Sequence, residues 1–242
     1  MTGNGVEDAK QAIRRRIWDL LEREQVTDPG ARGSIPAFVG AADAAERLAA
    51  LPEWRAARVV KAVPDRAQQP VRERALAEGK FLYMAVPKLA EKLPFCELDP
   101  GNLPVSAAEA ASREVAARIA RRVDTGQMRP VDMVVCGSVA VNRAGTRLGK
   151  GAGYSDIEVA LLAEAGLIGQ RTVIVTTVHS LQVLDEPIPE TSHDFSVDLI
   201  VTASGVIRCT PPRRPAGLDW TQLPASMIAA IPVLAARQRS AS

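Results

Sequence analysis

The sequence is poor in cysteine, balanced in charge and free of long apolar runs, and each shortage removes a class of protein. Its 242 residues hold three cysteines, Cys96, Cys136 and Cys209. They are odd in number and widely spaced, with no Cys-x-x-Cys pair to suggest zinc or dithiol redox chemistry, so a reducing cytoplasm is the expected compartment. Thirty basic residues against 28 acidic ones leave a formal charge of +2, and the average charge therefore argues for neither a nucleic-acid nor a membrane partner. No recognisable RNA-binding motif is present. No apolar run reaches the roughly 18 to 20 residues that span a bilayer; the longest candidates, such as 131–141, are strand-sized. Met1 to Lys10 lack the apolar core of a leader peptide, and no repeat of solenoid period is visible. What is present is a 47% hydrophobic composition, enough for the core of one large domain.

Apolar residues at Ile13, Ile17, Leu20 and Leu21 recur at helical spacing within 9–25 and leave Lys10, Arg14, Arg15 and Arg16 on or beside the other face. Pro29, Gly30, Gly33, Pro36 and Gly40 then interrupt regular structure. An alanine-rich helix is predicted over 41–51, a strand near 58–63 ended by Pro64, a helix over 71–78, and a second strand over 80–86 closed by Pro87. Ser106 and Glu109 form a capping-box pattern that opens a helix running to about Val123. The run Val131-Asp132-Met133-Val134-Val135-Cys136 reads as a strand buried on both faces that leads into a glycine-rich segment and then a helix over 154–164. A strand at 172–178, two short β segments within 197–206 about the turn Ala203-Ser204-Gly205, and a late amphipathic stretch over 220–234 follow. Strands alternating with helices predict a layered α/β fold with a mainly parallel sheet. The chain reads as one domain, residues 1–242, with a tail from about 211 to 242 packing back on it.

Chemistry concentrates at Arg147-Leu148-Gly149-Lys150-Gly151-Ala152-Gly153-Tyr154, where three glycines alternate directly before a helix. Glycines let the backbone approach phosphate oxygens without a Cβ in the way, and unpaired amides at a helix start bind anions. Arg147 and Lys150 add positive charge. The segment is neither a Walker motif nor a Rossmann fingerprint, and by spacing alone it reads equally as a tight strand-to-helix turn. A second cluster, Pro189 to Asp198, gathers Glu190, His193, Asp194 and Asp198 before a strand. A carboxylate there and Asp156 are candidates to hold a hydrated magnesium ion shared with phosphates; His193 and Asp194 also read as a local turn or cap.

At these two clusters the sequence resembles the 5-formyltetrahydrofolate cyclo-ligase family, or methenyltetrahydrofolate synthetases. The residues that carry the resemblance are 145–156, His193-Asp194 and Val197-Asp198. Arg16-Ile17-Trp18-Asp19, the run 135–141 and Gly149 to Glu158 are similar to the methenyltetrahydrofolate synthase domain-containing subgroup, as is the tail around Arg213-Arg214-Pro215 and Gly217-Leu218-Asp219-Trp220. The resemblance implies a three-layer α/β/α fold and an ATP- and Mg2+-dependent reaction on a reduced folate. In that reaction the formyl oxygen of 5-formyltetrahydrofolate attacks the γ-phosphate, a phosphorylated imidate forms, ring closure follows and phosphate leaves, giving 5,10-methenyltetrahydrofolate. Carried over by position, Lys10, Arg14 and Arg147, Leu148, Gly149, Lys150, Gly151, Ala152, Gly153, Tyr154 and Ser155 contact ATP. Arg147 and Lys150 serve the phosphoryl transfer by neutralising charge, and Asp156 and Asp194 bind magnesium.

The departures are specific. Ser155 stands where the family carries a second tyrosine and Ile157 where it carries an arginine. The stretch Pro64-Asp65-Arg66-Ala67-Gln68-Gln69-Pro70 offers no clear counterpart to the acidic residue that binds folate in a Glu-Val-Asp-Thr-like segment. ATP binding therefore transfers better than folate specificity, and two alternatives stay open: an ATP-binding relative with a different small-molecule acceptor, and a non-catalytic cofactor- or RNA-related binding protein. Lys10 and Arg14, taken without the resemblance, describe a solvated helical face.

Overall fold

The computed structural model describes residues 3–191, 194–209, 213–214 and 217–241. Its strands are β1 (Val59–Ala62), β2 (Phe81–Ala85), β3 (Phe95–Leu98), β4 (Arg121–Val123), β5 (Met133–Cys136), β6 (Ala140–Asn142), β7 (Arg147–Leu148), β8 (Val173–Thr177), β9 (Val183–Leu184), β10 (Leu199–Val201) and β11 (Val206–Arg208). Its helices are α1 (Gly3–Arg23), α2 (Ala41–Ala49), α3 (Pro52–Ala56), α4 (Gln69–Ala77), α5 (Ala107–Ala110), α6 (Arg113–Ile119), α7 (Tyr154–Glu164), α8 (Ala225–Ala230) and α9 (Pro232–Ala241). Among the described residues, eight strands form one sheet in the order β11-β10-β8-β5-β1-β2-β3-β4. The five central strands are parallel and the edge strands β3, β4 and β11 antiparallel.

Alternation along each strand sorts side chains between two cores. Val60, Leu82, Met84, Met133, Val135 and Val175 pack against Ile17 and Leu21 of α1, Leu48 of α2 and Val71 and Leu76 of α4. Val59, Tyr83, Val134, Ile174 and Ile200 face the opposite way, against Ile157, Leu161 and Leu162 of α7 and Ile228 and Leu234 of α8 and α9. Helices thus cover both faces, giving the expected three layers. Each fully buried Val, Leu or Ile contributes about 1.5–3 kcal/mol relative to exposure, which is why a strand such as β5, buried at every position, carries no polar residue within it.

Two expectations need correction. The helix opened by Ser106 does not reach Val123. Its capping box forms as predicted, with Glu109 N–H donating to Ser106 Oγ at 3.3 Å and Ser106 N–H to the Glu109 carboxylate at 3.0 Å. It then stops after α5, and Ser112 Oγ caps a new helix, α6, by accepting from Val115 N–H. Arg121–Val123 pairs with β3 as an edge strand, tertiary pairing overriding helical periodicity. The glycine segment also does not follow β5 directly. A hairpin, β6–β7, lies between them in a small separate sheet with β9, so Arg147 and Leu148 belong to a strand that ends where the glycines begin. The late amphipathic stretch divides at Pro232 into α8 and α9, with Ile228, Ile231 and Leu234 buried.

Candidate active site

The carboxyl ends of the parallel strands are where an open α/β sheet leaves a crevice, and here the exits of β1 and β2 open beside the glycine loop. Lys10, Arg14, all of 147–156 and Asp194 line one cavity of about 400 Å³. His193 lies outside the described residues. Sequence positions from 10 to 194 converge because three long-range contacts tie them. The Val197 N–H donates to Gly145 O at 2.9 Å, holding the Asp194 segment against the β6–β7 hairpin. Arg14 Nε donates to Gly149 O at 2.9 Å, and Lys10 Nζ donates to Asp194 Oδ2 at 2.5 Å.

Lys10 and Arg14 are not on a solvated face. They are 4% and 5% exposed, and Arg14 is held further by Glu7 Oε1 at 2.6 Å and Gln11 Oε1 at 3.1 Å. The two glycines that need left-handed backbone are Gly151, at φ 98°, and Gly153, at φ 70°, which caps α7. A Cβ at Gly151 would meet the Arg14 guanidinium at 3.4 Å, an ordinary contact, so it is the turn and not the cation that calls for glycine here. Arg147 is 5% exposed, lies over the Phe195 ring at 4.5 Å and donates to Asp156 Oδ1 at 3.2 Å and Gly137 O at 3.3 Å. Its buried Nε has no hydrogen-bond partner among the described residues. Burial works against the Asp194 carboxylate, but Lys10 and the Thr191 donors outweigh it and hold its pKa below the ordinary value. It is an anion presented beside cations, ready to accept from a cation or metal.

Asp156 and Asp194 are two carboxylates on one cavity. Among the described residues no group of three or more His, Cys, Asp or Glu side chains is arranged to hold a metal. That donor set fits magnesium in the form that keeps several waters and shares phosphate oxygens, and it does not fit a protein-only cage.

Other residues reach the cavity from segments that sequence reasoning left aside. Asp65, just beyond β1, lies in the stretch 64–70 that offers no clear counterpart to the family's acidic residue; its Oδ1 lies 3.6 Å from Lys150 Nζ. The signal that finds it is position at the carboxyl end of a central parallel strand. Its backbone is fixed by Arg72, 1% exposed, which donates to Val63 O at 2.7 Å, Asp65 O at 2.8 Å and Ala111 O at 2.9 Å. Burial draws the Arg72 pKa down to about 10, with Asp65 and Glu114 opposing. Glu158 of α7 also lines the cavity and pairs with Lys61 of β1, the one charged residue in that strand, 1% exposed. A lysine inside an apolar strand was the available clue, since such a charge requires a buried partner.

The 5-formyltetrahydrofolate cyclo-ligase family model matches residues 6–203. The chain belongs to this family. Among characterised relatives, the cyclo-ligase-family chain is 38% identical over 238 residues to the methenyltetrahydrofolate synthase domain-containing protein of Mus musculus, covering 93% of this chain and 62% of that protein. It is 34% identical to the Homo sapiens protein of the same name, covering 97% and 62%. The chain thus spans about three-fifths of the length of these relatives. A shorter match, 36% over 85 residues and 34% of this chain, joins it to 31% of a mitochondrial 5-formyltetrahydrofolate cyclo-ligase of Arabidopsis thaliana. The NMR structure of 5,10-methenyltetrahydrofolate synthetase from Aquifex aeolicus superposes with a TM-score of 0.52 at 23% identity, covering 88% of this chain and 99% of that one, and it supports the cyclo-ligase fold. No helix among the described residues is long and apolar enough to cross a membrane.

Proposed function

We propose that this chain is an ATP- and magnesium-dependent cyclo-ligase converting 5-formyltetrahydrofolate to 5,10-methenyltetrahydrofolate. The observation that carries the reading is the convergence, in a chain of the cyclo-ligase family, of Lys10, Arg14, Arg147, Lys150, Asp156, Asp194 and the glycine loop on one cavity. Lys10, Arg14 and the amides of 149–153 bind the triphosphate. Arg147 and Lys150 offset charge at the γ-phosphate, and Tyr154 and Ser155 border it. Asp156 and Asp194 would hold magnesium, which supplies charge neutralisation on phosphate oxygens. The formyl oxygen forms a bond to the γ-phosphorus as ADP departs; the neighbouring nitrogen then closes on the imidate carbon and phosphate leaves with the former formyl oxygen. Most of the acceleration comes from positioning and fixed charge, because the protein supplies no nucleophile. Asp65, at the far side of the loop, serves the acceptor. The buried unpaired thiols Cys96, Cys136 and Cys209 support a reducing compartment, the cytoplasm.

Methenyltetrahydrofolate absorbance that appears only with ATP and magnesium tests the reaction; none at high enzyme concentration refutes it. Lys150→Ala is expected to weaken ATP binding about tenfold, as loss of a charge-assisted contact does, and unchanged affinity by calorimetry would contradict the loop's role. A second reading, an ATP-dependent enzyme with another acceptor, is favoured by Ile157. That residue is 4% exposed and packed in the core, where the resembling enzymes carry an arginine. ATP hydrolysis dependent on a different metabolite separates the two.

A further inference from the structure

We infer that Lys88 is a specificity-determining residue whose ammonium takes a carboxylate at the far end of an elongated acceptor, away from the group that reacts at the glycine loop. This rests on the cyclo-ligase reading above.

The cavity has two unlike ends. At the glycine loop the cations are paired: Lys10 with Asp194, Arg14 with Glu7, Arg147 with Asp156. The other end is formed where the chain leaves β1 and β2. There Val63 and Val86, 2% and 3% exposed, supply an apolar wall, and Asp65, Lys88 and Arg113 also line the cavity. Asp65 is engaged by Lys150, and Arg113 by Glu114 at 2.9 Å. Lys88 is exposed, and among the described residues it makes no hydrogen bond or ion pair.

Its backbone is also unusual. Lys88 has φ 58° and ψ 16°, and Leu89 follows at φ 52°. Two consecutive non-glycine residues in the left-handed region are costly and persist only where the surroundings over-determine them. They are over-determined here. Leu89 is fully buried, its N–H donates to Val86 O at 3.0 Å, and Ala90 N–H donates to Pro87 O at 3.2 Å. Glycine at position 88 would carry this bend without strain, yet a lysine stands there. The bend sets an exposed cation on the cavity lining at the exit of β2, beside the buried Val86. The ligand chemistry that fits is an anion joined to the reacting ring by an apolar spacer, as a carboxylate on an aryl or acyl tail.

The test compares two substrates, 5-formyltetrahydrofolate with its glutamyl tail and a 5-formyltetrahydropterin without one, in wild type and Lys88 variants. Lys88→Ala should raise KM for the tailed substrate about tenfold, the size of one charge-assisted contact. It should leave kcat, KM for ATP and all constants for the tail-less substrate unchanged, with Lys88→Arg restoring most of the loss. Lys88→Gly should raise KM to the same degree while raising Tm, because it removes the cation and relieves the bend together; a lysine with only a structural role would raise Tm and leave KM alone. Turnover of the tailed substrate with the same KM in wild type and Lys88→Ala overturns the inference by itself, as does an equal rise for both substrates. Failure of wild type to turn over either substrate overturns the cyclo-ligase reading and the inference with it.

Discussion

The two ends of the cavity are built on different physical terms. At the glycine loop, Lys10, Arg14 and Arg147 are nearly sequestered from solvent, and each is fixed by a carboxylate or carbonyl, two of them from segments more than a hundred residues away. At the acceptor end, Asp65, Lys88 and Arg113 stand on strand exits and a helix start, wetter and held by contacts to exposed neighbours or by none. Phosphate is the same in every nucleotide, so a rigid cradle with prearranged charge suits it. Acceptors differ, and specificity is changed most cheaply where side chains sit on loops over a fixed scaffold. One buried residue braces the wetter end: Arg72 ties the β1 exit to the end of α5, giving the variable end a rigid floor.

The largest expected effect tests the rigid end. Glu158→Ala strips the buried Lys61 of its partner and should cost about 3–5 kcal/mol of stability. Urea unfolding would measure it, and the double replacement Lys61→Met with Glu158→Leu should recover most of the loss. A small single-variant effect would mean that Lys61 reaches water and that the rigid end is looser than its packing indicates.

Next in size is the Lys10–Asp194 pair. Because the Asp194 pKa is depressed in the folded protein, its contribution to stability is present above the unfolded carboxylate value. It is lost as pH falls below about 4. Asp194→Asn should therefore flatten the acid limb of the stability profile and lower affinity for MgATP about tenfold by removing one of the two carboxylates proposed to hold magnesium. An acid limb identical to wild type would remove Asp194 from that linkage.

The smallest effect belongs to the wet end. Asp65→Asn frees Lys150 for phosphate and should tighten ATP binding by about threefold or less, since a partly exposed ion pair is worth only about 0.2–1 kcal/mol. The same change should weaken the acceptor, so the two titrations would move in opposite directions. Movement of both in one direction would erase the distinction between the ends.

The glycine-loop end of the cavity was largely legible in the sequence. The alternating glycines of 149–153 announce a close backbone approach, and the segment 145–156 carries the family resemblance in contiguous residues. Lys10 and Arg14 were readable only through that resemblance, because helical periodicity alone sets them on the side turned away from the core. Asp65 carries no local motif, because its place on the cavity is set by the end of a parallel strand. Lys88 and Arg113 had no local signal: a single lysine after Pro87 or an arginine after Ser112 is ordinary in any loop.

Composition, periodicity and motif determined the α/β class, the buried parallel strands and the glycine-rich turn that opens α7, because each depends on residues close together in sequence. Only the tertiary structure decided that the Ser106 helix breaks at Ser112 and yields an edge strand, that a hairpin separates β5 from the glycines, and that Lys61 of β1 meets Glu158 of the covering helix α7. Those outcomes depend on which distant segment offers a hydrogen-bond ladder or a counter-charge, and that is set by how the layers stack rather than by what is written at either position.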